Sequence, residues 1–418
     1  MKIAHTGDTH IAVRHKRWLT LDRALRDMTT QMKEARPDLI VHAGDLGEPN
    51  PTAQDLYSQA VFLQELADIA PTIVVAGNHD SISHLEVLAR IETFYPLWIS
   101  TGPDTLAFMG GDLRHLGDLD LADIEAVQCV IHTMPWPAKG NLLSILPQMP
   151  SSDESDQVAQ QLLLDIFRGF KAERESAGCS PDVPAIMVGH LEVHGATMDS
   201  GQPALGPGMR VGVYDLGAAA CDVVMLGHIH ARQGLEIEPG LLAYYSGSPC
   251  RLTWGEAGDL GKGWALHHIT EELDHEWVNV PSPQLWTTEA EWVQVPEGQP
   301  SIGGWDFDFG EQKDGLEGVC PEDELRIRYT VPEDQREPAK AEILRCASNL
   351  SETIPRERIT IEEVVLPTDK ARAPEIARLD DPSQMFDRWI AAEGHDLPEE
   401  RRARLQLLMN QVLQEVTP

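Results

Sequence analysis

Short apolar runs recur along residues 1–270, and stretches with a helical repeat lie between them. The runs Lys2–His5, Asp38–His42, Thr72–Ala76, Val127–Ile131, Ala185–Val188 and Asp222–Leu226 predict strands. Leu21, Leu25, Met28 and Met32 recur at helical spacing, as do Leu56, Ala60, Leu63 and Ala67, and again Val158, Leu162, Ile166 and Phe170. The predicted helices stop at Pro or Gly, as at Ala35-Arg36-Pro37 and Ala70-Pro71. Strands alternating with helices predict a layered α/β domain with its helices outside the sheets.

The pattern changes around Val280-Pro281-Ser282-Pro283, where a stretch rich in Gly, Trp and acid begins. A strand over Glu324–Val331, a helix over Glu337–Leu350 and a strand over Arg358–Val365 predict a small second domain. After Pro367 a linker with Pro374 and Pro382 leads to two helical segments, 382–393 and 398–416. Met385, Phe386, Trp389 and Ile390 share one face of the first; Leu405, Leu408, Met409 and Val412 share one face of the second. A chain of 418 residues exceeds what one core organises, which agrees with this division.

Composition narrows the setting. No apolar run approaches the roughly 18 residues needed to span a bilayer, so no membrane segment is expected. The start, MKIAHTGDTH, meets a histidine and an aspartate at once and does not read as a secretory signal. Six cysteines are scattered without a CxxC pair, the pattern of reduced thiols in a cytoplasmic protein. The net charge of −34, from 33 basic and 67 acidic residues, argues by itself against nucleic acid as a partner. Residues 1–60 hold as many basic as acidic side chains, however, and include the cluster Arg14-His15-Lys16-Arg17. Arg14, Lys16 and Arg17 read equally as a solvated loop or as a patch that steers phosphate.

Five strand-like runs end alike. They lead into Gly7-Asp8-Thr9-His10, Gly44-Asp45, Gly77-Asn78-His79-Asp80, Gly189-His190 and Gly227-His228-Ile229-His230. Each run delivers a polar ligand at a strand's carboxyl end, where α/β sheets place their sites, and each ligand follows a glycine that lets the backbone turn tightly. One such motif is an ordinary loop; five in one chain form a constellation. Asp8, His10, Asp45, Asn78, His190, His228 and His230 offer carboxylate, amide and imidazole donors without thiolate, a set that suits two divalent ions such as Mn, Fe or Zn. Such ions would clamp a phosphate and acidify a water, leaving another histidine to protonate the departing oxygen.

These motifs resemble, in order, the D-x-H, G-D, G-N-H-D/E, G-H and G-H-x-H pattern of the calcineurin-like metallophosphoesterase superfamily. The resemblance implies a four-layer α/β/β/α sandwich. It implies Asp8, His10, Asp45 and His230 on one metal, and Asp45, Asn78, His190 and His228 on the other, with Asp45 as the bridge. His79 would be the proton donor, and Asp80 would either orient it or cap a helix. Gly77 to Ser81, Ile131 to Trp136, His190 to Ala196, Leu226 to Gln233 and Tyr245 to Pro249 are similar to SbcD-type nucleases, and the likeness continues through Glu256 and Lys262.

That likeness implies Mn2+ as the metal and DNA as the substrate, cut by 3′→5′ exonuclease and endonuclease action. It also implies a homodimer built near Ala53–Ala70 and Ser83–Thr93. The division it suggests is a nuclease domain over 1–280, an α+β capping domain over 281–366, and a linker with C-terminal helices over 367–418. Those helices would dock on an SbcC-like ATPase through Met385, Phe386, Trp389, Ile390, Leu405, Leu408 and Val412, or else fold back on their own domain. The chain departs from the family at Glu48, where some members carry a histidine that handles the phosphate.

Among the remaining histidines, His5 and His42 read as core or supporting residues, His132 as a supporting residue, His194 as a loop residue near the metals, and His267, His268 and His275 as structural or exposed. Two other functions stay open. A phosphoesterase for a small phosphodiester or a phosphoprotein would be less troubled by the acidic charge but would not need residues 370–418. A scaffold without activity would not be expected to keep so many buried polar ligands.

Overall fold

A computed structural model describes residues 1–197, 209–238, 241–256, 261–270, 273–295, 305–308, 320–350 and 354–366, together with 401, 404, 405 and 408. The chain begins with β1 (Lys2–Thr6), α1 (Trp18–Ala35), β2 (Leu39–His42), α2 (Ala53–Ala67), β3 (Thr72–Val75), α3 (Ile82–Leu88) and β4 (Leu97–Ser100). Next come β5 (Asp104–Met109), β6 (Asp112–His115), α4 (Leu121–Ile124), β7 (Cys129–Met134), α5 (Lys139–Ser144), α6 (Ser155–Ala177) and β8 (Ala185–His190). The short strands β9 (Glu192–Val193) and β10 (Arg210–Val211) precede β11 (Val223–Gly227), β12 (Gln233–Glu238), β13 (Leu241–Tyr245), β14 (Gly263–His268) and β15 (Asp274–Asn279).

These strands build two large sheets, one ordered β15-β14-β1-β2-β3-β4 and one ordered β12-β13-β11-β8-β7-β5-β6. Within the first, β1 to β4 are parallel neighbours. The period of two along each strand sorts the side chains into layers. Ile3, Leu39, Val41, Ile73 and Val75 face Leu106, Phe108, Ile131, Ile186, Val188 and Met225 between the sheets. Ala4, Ile40 and Val74 point the other way, under Leu21, Met28 and Met32 of α1 and Phe62 and Leu63 of α2. Met187, Val224 and Ala243 leave the second sheet on its far side, under Leu142 of α5 and Leu163 and Phe167 of α6. The result is the expected four-layer α/β/β/α order, and the central strands read as unbroken apolar runs because both faces are covered.

The helix ends follow local chemistry. Arg36 closes α1 in the left-handed conformation, immediately before Pro37. Thr52 and Asp55 form a reciprocal capping box at the start of α2, and Asp55 also accepts from the Val13 amide at 2.6 Å, tying the loop after the first motif to that helix. On α6 the buried stripe is Ala159, Leu163, Phe167 and Phe170, one residue round from the predicted Val158, Leu162 and Ile166 but sharing Phe170. On α2 the predicted Leu63 and Ala67 are buried with Gln59, Phe62 and Leu66 beside them, while Leu56 and Ala60 are half-buried. Neighbouring apolar positions offer two almost equivalent stripes, and packing settles between them.

The chain divides into one unit of Met1–Thr287 with Val319–Leu325, and another of Thr288–Gly318 with Arg326–Pro418. The second unit carries a four-stranded sheet ordered β17-β16-β18-β19, made by β16 (Leu285–Gln294), β17 (Trp305–Asp308), β18 (Glu324–Pro332) and β19 (Ile359–Leu366), with α7 (Arg336–Leu350) between the last two strands. The strand–helix–strand pattern read from sequence is β18-α7-β19; β16 and β17 were not anticipated. Met385, Phe386, Trp389, Ile390 and Val412 lie outside the described residues, while Leu405 is half-buried and Leu408 exposed. Among the described residues no helix is long and apolar enough to cross a membrane.

Candidate metal centre

Register brings the motifs together. Thr6 pairs with His42 across β1 and β2, so the loops carrying Asp8 and Asp45 emerge side by side, and the Asp8 amide donates to the Gly44 carbonyl at 2.9 Å. In the other sheet Gly227 pairs with His190, which sets His228 beside His190. The motif glycines are required by this crowding. A Cβ on Gly77 would sit 2.1 Å from Asp45 Oδ1, and one on Gly44, whose φ is +97°, would sit 2.3 Å from His190 Nδ1. Asp8, His10, Asp45 and His228 themselves hold left-handed backbone, with φ of 51°, 47°, 52° and 101°. Arg36, Asn50 and Ala220 are the other non-glycine residues with positive φ among those described. Strain of this kind gathers where surrounding structure fixes a functional geometry.

The side chains converge as lone pairs. His190 is fully buried, and its Nδ1–H donates to the Ala43 carbonyl at 2.8 Å. That bond turns the lone pair of Nε2 toward Asn78 Oδ1 at 2.9 Å and Asp45 Oδ2 at 3.4 Å, both of them acceptors. His228 Nδ1 lies 3.0 Å from the same Asn78 oxygen, and the His228 amide donates to the Asp8 carboxylate at 2.9 Å. On the other side His10 Nε2 lies 3.1 Å from His230 Nε2 and 3.7 Å from Asp45 Oδ2. Asp8, His10 and His230 can direct one ligand atom each to a single ion, as can Asp8, Asp45 and His190. Electron pairs brought this close in a buried site need cations between them, so the donor set fits two divalent ions. All seven predicted ligands therefore lie in one cluster, with Asp45 between its two halves.

The electrostatics agree. Burial alone would neutralise these groups. Asp45 and Asp8 outweigh that cost at His190 and raise it to about 9, so Nε2 draws a positive partner, proton or metal ion, between itself and the two oxygens, while burial and the neighbouring His190 drop His228 to about 3. Opposite shifts on adjacent imidazoles mark a site where charge is shared.

The structure corrects the role expected of Asp80 and gives one to Glu48. The Asp80 carboxylate makes no hydrogen bond to the His79 ring and does not cap α3. It accepts from the Gly77 amide at 2.8 Å, the Gly47 amide at 3.1 Å and the Leu46 amide at 3.3 Å, and so clamps the second and third motif loops together. His79 instead donates from Nδ1 to Glu48 Oε2 at 3.2 Å, and its backbone amide donates to Asp45 Oδ1 at 2.8 Å. Glu48 Oε1 also approaches His10 Nδ1 to 3.0 Å, off the direction of a straight N–H bond. The Glu48 carboxylate raises the His79 pKa against the effect of burial. The side chain that departs from the family pattern thus holds the candidate proton donor.

Arg17 is also corrected. It is 3% exposed, and its guanidinium makes a two-pronged pair with Glu324 at 2.8 Å on each prong and donates to the Leu252 carbonyl. An arginine committed in this way is not a phosphate contact. Lys16 is exposed beside the Trp254 ring, and Arg14 is exposed while donating to the Pro49 and Asn50 carbonyls. Of the remaining histidines, His42 pairs with Thr9 in the support of the first loop, and His5 contacts His267 between the sheets. His132 stacks on Phe170, bonded to Thr105.

Three neighbours of the centre were not singled out from sequence as site residues. The Trp136 ring lies 4.8 Å from that of His228, Glu192 is buried 3.8 Å from His228 Nε2, and Glu256 is buried 3.4 Å from His230 Nδ1. Trp136 and Glu192 follow β7 and β8 directly, as the ligands follow their strands, whereas Glu256 lies in the short helical turn Trp254–Glu256 well past β13.

Among solved structures the chain is similar to the TT1561 protein of Thermus thermophilus, at 11% identity and a TM-score of 0.39, over 67% of this chain and 99% of that one. It is also similar to a dimetal phosphatase from Danio rerio, at 12% identity and a TM-score of 0.39, over 65% of this chain and 93% of that one. The family model of calcineurin-like phosphoesterases matches residues 1–232. With that match spanning both large sheets' ligand-bearing strands, the chain belongs to the calcineurin-like phosphoesterase family of metal-dependent hydrolases.

Proposed function

We propose that this protein is a Mn2+-dependent DNA nuclease, the catalytic subunit of an SbcCD-like complex that processes DNA ends. The observation that carries the phosphodiesterase chemistry is the placement of His79 beside Asp45, with its Nδ1 tied to Glu48. Asp8, His10, Asp45 and His230 would hold one ion; Asp45, Asn78, His190 and His228 would hold the other. When bound, two divalent ions supply Lewis acidity to a phosphoryl group and acidify water at the site.

The chain's own residues do the rest. Asp45, 2% exposed, separates the two halves of the ligand set. Asp80 holds the loops of Asp45 and Asn78 at a fixed spacing. Glu48 keeps the proton of His79 on Nδ1 engaged, so Nε2 is the nitrogen that gives its proton to the leaving oxygen of the nucleotide.

The choice of DNA rests on the SbcD-like stretches around the motifs and on the sequence of segment 367–418, which spaces Met385, Phe386, Trp389 and Ile390, and again Leu405, Leu408 and Val412, at helical intervals. An acidic chain that works on DNA needs its grip from elsewhere, which is the part we assign to an SbcC-like ATPase and to a second copy of this chain. Tyr57, Val87 and Phe94 are 71%, 60% and 77% exposed on and beside α2 and α3, and support that second copy. The charge of −34 favours one other reading, a phosphodiesterase for a small molecule. The test is to mix the full chain with an SbcC-like ATPase: co-purification and ATP-dependent DNA cutting are expected, and no association would favour the small-molecule reading.

A further inference from the structure

Behind the metal ligand His230 lies an ion pair that the phosphoesterase motifs do not include. Glu256 and Lys262 are 0% and 2% exposed, and Lys262 Nζ sits 2.7 Å from Glu256 Oε2. A buried pair of this sort is weak grounds for stability, because desolvating two charges costs about as much as their attraction returns. Its presence calls for another reason.

Both partners reach His230. Glu256 Oε1 lies 3.4 Å from His230 Nδ1, and Lys262 Nζ donates to the His230 backbone carbonyl at 2.9 Å. The same carbonyl accepts from the Ser248 amide at 3.1 Å, and the Ser248 hydroxyl donates to Glu256 Oε2 at 2.9 Å. The Leu252 and Thr253 amides donate to Glu256 Oε1 at 3.2 and 3.0 Å, so the carboxylate cannot swing away. The far ring nitrogen, His230 Nε2, is the one that faces His10 and the ion site. A carboxylate on Nδ1 fixes the tautomer in which Nε2 offers its lone pair.

We infer that Glu256 and Lys262 are positioning residues for one of the two ions: together they lock His230, ring and backbone, in the orientation and tautomer that bind a divalent cation. This rests on the two-metal reading of the centre and is independent of the DNA assignment. It also explains why the pair is buried: the lysine offsets the charge that the carboxylate needs in order to hold the histidine.

The test is Mn2+ titration of the full chain, following the signal of free Mn2+ by electron paramagnetic resonance, with Co2+ absorption spectra as a second readout. Wild-type protein, Glu256→Gln, and Glu256→Gln with Lys262→Gln are compared, together with the melting temperature of each metal-free form. For Glu256→Gln one of the two Mn2+ sites should weaken by roughly 10- to 100-fold while the other keeps its affinity, and the Co2+ spectrum should change. On bis-p-nitrophenyl phosphate kcat should fall with KM little altered. The double variant removes the stranded lysine and should recover the metal-free melting temperature without recovering the weakened site. Two wild-type affinities in either variant would overturn the inference, and so would loss of fold in both, since the pair would then hold the chain rather than the ligand. Wild-type protein that binds no Mn2+ would instead sink the two-metal reading, a distinguishable failure.

Discussion

Nε2 of His10 and Nε2 of His230 face each other at 3.1 Å, although the residues are 220 positions apart in the chain. A carboxylate stands behind each ring, Glu48 3.0 Å from His10 Nδ1 though off the line of its N–H, and Glu256 3.4 Å from His230 Nδ1. Two imidazoles backed in this way direct lone pairs into one space, which is the arrangement a divalent ion requires.

If His79 gives the proton to the leaving oxygen, His79→Ala should lower kcat by about 10²–10⁴-fold while both ions stay bound. Activity and metal content measured on the same sample decide the matter. Loss of the ions together with activity would remove His79 from the donor role.

Glu48, rather than Asp80, should govern that histidine. Replacing Glu48 with Gln should slow cleavage of an alkyl phosphodiester, whose leaving group needs a proton, by roughly 10-fold or more. Hydrolysis of bis-p-nitrophenyl phosphate, whose leaving group departs as a stable anion, should change far less. Equal losses on both substrates would place Glu48 in ion binding instead.

The closeness of the motif loops makes Gly77→Ala a severe change. The new methyl would meet Asp45 Oδ1 at 2.1 Å, with backbone on the same side. The expected outcome is loss of Mn2+ binding and a stability cost of about 1–3 kcal/mol, read by chemical denaturation. Retention of both ions would show that the second and third loops can separate.

Acid should unfold the protein partly through histidines outside the metal site. Burial lowers His132 from 6.5 to about 3, with its ring stacked on Phe170. In the unfolded chain the same ring takes up a proton near pH 6.5, so below that pH protons favour unfolding and stability falls until about pH 3. The slope from this one group approaches about 1.4 kcal/mol per pH unit. A His132→Phe variant should lose that part of the pH dependence between pH 6 and pH 4; an unchanged slope would show that His132 is protonated in the native protein.

The centre was legible in the sequence because each ligand is set by local information: an apolar run, a glycine, then a polar side chain at a strand end. The same runs gave a layered α/β domain with its helices outside, and the resemblance carried by the motifs supplied the count of four layers. What escaped depends on distance. Glu48 and Asp80 are both carboxylates near the motifs, and only the path of two loops decides which reaches His79. Arg17 looked like a surface cation because its partner Glu324 lies 307 residues away. Gln233–Glu238 lies at a sheet edge with Ile237 alone buried and its other residues half-buried or exposed, which leaves little apolar signal for a strand.

Residues 367–418 should be separable from the chemistry. A chain ending before residue 370 should hydrolyse bis-p-nitrophenyl phosphate as the full chain does and fail to associate with an SbcC-like ATPase. A truncated protein that loses its ions would show that the segment belongs to the folded core.

The most direct test is a cleavage assay on end-labelled double-stranded DNA with Mn2+, with an Asp45→Asn control and an SbcC-like ATPase added in parallel. The account predicts shortening of the labelled strand that requires Asp45 and increases with the ATPase. Hydrolysis of bis-p-nitrophenyl phosphate with the DNA left intact, even in the presence of that ATPase, would contradict it.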